Sequence, residues 1–145
     1  MKRSIAALML CLVSVISFSQ IQVQRGPETR DVVRAMGMNS SATIVEVKDG
    51  DDISYYIRSI TTNRFDKSFL LPIGHSEEEV VASLEALNQM ASAKKGEKYT
   101  IDENFWATVV TKNTLYIGGI GYAGSAEISK KQIEKLQKYY ADGGH

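Results

Sequence analysis

The chain has 145 residues, with 17 basic and 17 acidic side chains, 43% hydrophobic residues and a single cysteine. The charges are balanced and interspersed, which leaves no basic surplus for nucleic-acid binding. One cysteine excludes an internal disulfide framework, so stability has to come from a packed core.

The opening "MKRSIAALMLCLVSVISFSQ" places Lys2 and Arg3 before an apolar run from Ile5 to Phe18, followed by small residues at Ser17 and Ser19. This is the layout of a secretory signal peptide cut after Ser19. The run is about 14 residues, short of the roughly 20 that span a bilayer as a helix. Cys11 follows Leu10, whereas lipid attachment calls for a small residue at that position, so the expected product is an unlipidated, cysteine-free, secreted or periplasmic protein with no stable membrane insertion. About 126 residues then remain, enough for one domain with a real core. Removing Lys2 and Arg3 from 17 basic residues leaves 15 against 17 acidic ones, a slight negative balance.

Residues 20–40 mix Gln, Gly, Pro and Ser, with a short apolar patch at Val32, Val33 and Met36. They read as a mobile lead-in with about two helical turns, placing a single domain at residues 41–145. From Ala42 the period becomes two. Thr43, Val45 and Val47 alternate with Ile44, Glu46 and Lys48, the cluster Asp49-Gly50-Asp51-Asp52 makes a turn, and Ile53, Tyr55 and Ile57 alternate with Ser54, Tyr56 and Arg58. This is a hairpin signal. "FLLPI" follows as a third strand, with Pro72 confining it to an edge or a strand end.

"GHSEEEVVASLEALNQMASAKKGEK" is a helix: Ser76 and Glu79 have capping-box spacing, and Val80, Leu84, Leu87 and Ala91 form one stripe. Gly96 is the expected terminator, and Lys94 and Lys95 are expected to face the negative end of the dipole. "KYTID", "NFWATVVTK" and "TLYIGGIGYAG" are three further strands, the last two joined by a tight turn at Lys112-Asn113. A second capped helix follows, with Ser129 and Gln132 at the cap and Ile133, Leu136 and Tyr140 as its stripe. A shift of 53 residues superposes Ser76 on Ser129, Glu79 on Gln132, Val80 on Ile133 and Leu87 on Tyr140, suggesting two strand-strand-helix half repeats. The expected fold is α+β, an antiparallel sheet with two amphipathic helices packed on one face.

Chemical motifs are scarce. Gly119, Gly121 and Gly124 spell GxGxxG, but the next helix cap is Ser129 and no second strand carrying an acid follows, so a dinucleotide fingerprint fails and no cofactor is expected. The Asp49, Asp51, Asp52 cluster lacks the Glu that a calcium loop needs at its twelfth position, which here is Ile60, and no metal is expected. His75, beside Ser76, has no acid placed to orient it, and Ser76 is committed to capping. With Tyr55, Ile57, Phe105, Val109, Leu115 and Ile117 facing the helices, Tyr56, Arg58, Trp106 and Tyr116 take the opposite face. Aromatics beside an arginine make a candidate contact surface for protein, peptide, glycan or a second copy. The expected function is therefore an exported binding domain. Its alternatives are a small secreted enzyme with a carboxylate, Tyr or His75 site in a helix-sheet crevice, and an inhibitor or immunity-type protein.

Overall fold

A computed structural model of the protein describes residues 26–38, 40–61, 69–120 and 125–144. The expected signal segment, Cys11, the 121–124 portion of the glycine motif and His145 lie outside them. The described elements run β1 (Glu28–Met36), β2 (Ser40–Asp49), β3 (Asp52–Thr61), β4 (Phe69–Gly74), α1 (Glu77–Ala91), β5 (Lys98–Thr100), β6 (Phe105–Thr111), β7 (Thr114–Gly119), β8 (Ser125–Ser129) and α2 (Lys130–Ala141). The fold is α+β and antiparallel throughout. Its strands form two sheets of four, ordered β1-β2-β3-β4 and β5-β6-β7-β8, so the unit stated twice is four strands followed by a helix.

Two strands complete the sheets beyond the sequence expectation. The segment read as helical turns is β1, paired with β2, and its register shifts between Asp31 and Val33. The extra residue of this bulge, Val32, leaves two adjacent valines half-buried and breaks the period of two, which is why the patch imitated a helix. The other addition, β8, is five residues long and runs directly into α2, with Ala126 and Ile128 buried. The β2–β3 turn places Gly50 at φ 63° and the β6–β7 turn places Asn113 at φ 64°, each using a residue that tolerates the left-handed region.

Both helices carry the serine cap that their spacing implies, but only α2 closes the full capping box, since in α1 the Glu79 carboxylate takes the N–H of His75 in place of that of Ser76. The Ser76 hydroxyl accepts from the Glu79 N–H, and the Glu79 carboxylate accepts from the His75 N–H at 2.7 Å. Around Ser129 the full capping box forms with Gln132. Helix α1 ends earlier than expected, at Ala91. The Ser92 hydroxyl and N–H bond the Asn88 carbonyl, leaving Lys94 and Lys95 beyond the last turn. The stripe Val80, Leu84, Leu87 and Ala91 is buried as read, and so are Ile133 and Leu136 on α2.

One core serves both halves. Inward residues of the first sheet (Ala35, Ile44, Ile57, Leu71) and of the second (Ala107, Val109, Leu115, Ile117, Ile128) join the two helical stripes in a single cluster. Each fully buried Leu, Ile or Val contributes roughly 1.5–3 kcal/mol relative to exposure. Phe69 and Phe105 meet edge to face across the sheets, with ring centres 5.8 Å apart. Gln132, 2% exposed, donates from Nε2 to the carbonyls of Ala35 and Ser40 while its Oε1 accepts from the Ser129 N–H. Gly37 leaves space for that amide, since a Cβ there would overlap it. The helices are linked by Asn88 to Gln137 at 2.7 Å and Gln137 to Glu85 at 3.0 Å.

Candidate functional site

The period of two holds across β6 and β7. Phe105, Ala107 and Val109 are buried on the inner face, and so are Leu115 and Ile117. Trp106 is therefore carried to the outer face, where it is 38% exposed. Its register partner is Gly118, and a Cβ at that position would overlap the indole. At Gly118 the glycine-rich strand thus makes room for an aromatic ring lying over it. Tyr116 lies diagonal to Trp106, with ring centres 5.8 Å apart and planes tilted by 40°. Beside the indole, Lys98, Tyr99, Thr100, Ala107 and Thr108 line a shallow depression of about 400 Å³ that includes Trp106 itself.

The four residues singled out in the sequence divide into two pairs. Trp106 and Tyr116 are in contact on the second sheet, whereas Tyr56 and Arg58 belong to β3 of the first. The outer face of that first sheet is not an open aromatic surface. Thr43 and Val45, the register partners of Arg58 and Tyr56, are buried, and Arg34 donates from Nε to the Thr43 hydroxyl at 3.1 Å. Arg58 is engaged by the Asp31 carboxylate at 2.8 and 3.0 Å, and its Nε is buried without a hydrogen-bond partner. The bulge in β1 supplies that carboxylate, so the sequence reading could not have anticipated the pair.

At the far end of the first sheet, Glu46 accepts from Arg30 at 3.1 Å and from the Tyr55 hydroxyl at 3.1 Å. Burial, then the hydrogen bond to Glu46, raises the Tyr55 pKa above its ordinary value. The Tyr140 hydroxyl is buried with no hydrogen-bond partner, and its pKa is raised strongly, by burial first and then by Tyr55, Glu77 and Tyr139.

His75 lies over the β2–β3 turn, its Nδ1 3.2 Å from both the Ile53 carbonyl and the Ser54 hydroxyl. A hydrogen bond to the carbonyl requires Nδ1 to carry the hydrogen, and in that tautomer it cannot take a proton from Ser54. With Asp51 and Asp52 these residues line an open hollow. Among the described residues no group of three or more His, Cys, Asp or Glu side chains is placed to hold a metal ion, and no helix is long and apolar enough to cross a membrane. Searches against protein-family models, curated proteins and solved structures return no match.

Proposed function

We propose that this protein is an exported binding domain that contacts a protein, peptide or glycan through the outer face of its second sheet, with Trp106 and Tyr116 as the anchors. The observation that carries the reading is the Trp106–Tyr116 pair itself, laid over Gly118 on the face opposite the core. An indole 38% exposed is large apolar area left in water by a chain that buries Phe105, Val109 and Leu115 on the other face of the same strands. Rigid aromatic side chains with few rotatable bonds are the residues that most often dominate contact energies. Tyr56 and Arg58 are not part of this surface, because Arg58 is held by Asp31 on the other sheet. Export rests on the order of Lys2, Arg3, the apolar run and the small residues before Gln20.

The test is selection from displayed random peptides and from a glycan array, repeated with Trp106→Ala, Tyr116→Ala and Tyr56→Ala. Ligands of the wild type are expected to lose about tenfold or more in affinity with the first two variants, as hot-spot aromatics do, and to be unaffected by the third. Ligands that bind Trp106→Ala as well as they bind the wild type would place the site elsewhere.

A further inference from the structure

Strand β5 is the outer edge of the second sheet, next to the depression beside Trp106. Its hydrogen-bonding direction follows from its neighbours. The Val109 N–H donates to the Glu97 carbonyl, the Ile101 N–H donates to the Phe105 carbonyl, and Tyr99 stands opposite Ala107 between them. Residues 97, 99 and 101 thus direct backbone groups at β6. Backbone direction alternates along a strand, so the N–H and C=O of both Lys98 and Thr100 point away from the sheet. Their side chains lie on the Trp106 face, because Thr100 is the register partner of Trp106 and Lys98 that of Thr108.

We propose that β5 is a pairing edge through which two copies of this chain join their second sheets, antiparallel, about a two-fold axis at Tyr99. The inference rests on the reading of this outer face as a contact surface and names its partner. The edge is self-complementary in one register only. Lys98 opposite the partner's Thr100, and Thr100 opposite the partner's Lys98, use all four outward groups in four hydrogen bonds, whereas a shift of two residues brings in Gly96 or Asp102. Those two are already committed, since the Gly96 N–H donates to the Val109 carbonyl and the Asp102 N–H to the Phe105 carbonyl.

The same register orders one row of side chains as Trp106, Thr100, the partner's Lys98 and the partner's Thr108. With strands about 4.8 Å apart, the partner's Lys98 starts about 10 Å from Trp106 and reaches over the small Thr100 into the depression. A lysine on a short strand ordinarily guards an edge against pairing. Here each lysine sits opposite a threonine, diagonal to the other lysine, and has the depression beside Trp106 to lie in. On the opposite face Tyr99 meets the partner's Tyr99 directly. A three-residue edge gives a small interface and hence a weak, reversible dimer.

Sedimentation velocity from about 10 μM to about 1 mM, the range for small interfaces, tests this on the wild type, Thr100→Pro, Thr100→Lys and Trp106→Ala. Proline at 100 removes an outward donor and no hydrogen bond to β6, and Thr100→Lys sets an exposed lysine against the partner's Lys98, so both variants are expected to fold, with a melting temperature near that of the wild type at low concentration. The wild type should show a concentration-dependent dimer, and each Thr100 variant should weaken it about tenfold or more. A wild type monomeric throughout that range overturns the proposal, as does unchanged association in both Thr100 variants. Association lost in Trp106→Ala but kept in both Thr100 variants would overturn edge pairing and leave the aromatic surface standing. Association unaffected by all three would remove self-pairing and count against the surface as well.

Discussion

Tyr140 carries a clear single-residue cost among the described residues. Its ring packs against the core and meets Tyr139 edge to face at 5.2 Å, but its hydroxyl is buried without a hydrogen-bond partner. A buried polar group left unpaired costs about 1–3 kcal/mol, so Tyr140→Phe is expected to be neutral or to stabilise the protein by up to about 1 kcal/mol at neutral pH. Urea denaturation measures this, and a loss above about 1 kcal/mol would show that the hydroxyl has a partner after all. The pH dependence has a definite sign. The folded-state pKa values of Tyr140 and Tyr55 are both raised above 10.0, so the folded state holds its protons more tightly than the unfolded chain. Their contribution is fully present below pH 10.0 and is lost as the pH rises through the folded values. Stability should therefore fall above pH 10.0, less steeply in Tyr140→Phe than in the wild type.

Among the elements, α1 was the most legible, because one face carries Val80, Leu84, Leu87 and Ala91 behind a serine cap with no competing signal. The hairpin β2–β3 was legible for the same kind of reason, period two on both sides of Gly50. The missed strands are those in which local pattern and final structure disagree. A bulge scrambles the alternation of β1, and β8 offers only Ala126 and Ile128 before the chain turns into α2. Gln132 shows how far a local motif can under-read a residue. Capping-box spacing found its bond to Ser129, but not its donation to Ala35 and Ser40, about 90 residues away in sequence. The two roles are separable. Ser129→Ala removes a cap and is expected to cost about 1 kcal/mol. Gln132→Glu keeps the acceptor for Ser129 but sets a buried carboxylate against two carbonyls, and is expected to cost about 3 kcal/mol or more. Chemical denaturation of the two variants decides this, and equal losses would mean that the tie between the halves is idle.

At the scale of the whole molecule, two units of four strands and a helix share one core. Which strands lie in the same sheet is a tertiary fact that no local period contains. The candidate site was accordingly half legible. Alternation along β6 and β7 sends Trp106 and Tyr116 outward together, whereas Tyr56 and Arg58, outward by the same rule, belong to another sheet where Asp31 and the buried Thr43 and Val45 leave no open aromatic face. The functional reading depends on Trp106 being surplus to the core. Chemical denaturation of Trp106→Ala beside Val109→Ala tests that most directly, since opposite faces of one strand supply the two side chains. Val109, fully buried, is expected to lose about 2–3 kcal/mol as a core truncation, and the much larger Trp106 no more than about 2 kcal/mol. A loss of about 3–5 kcal/mol on Trp106→Ala, the range for a tryptophan removed from a core, would make the indole a packing residue and contradict the assignment of this face to binding.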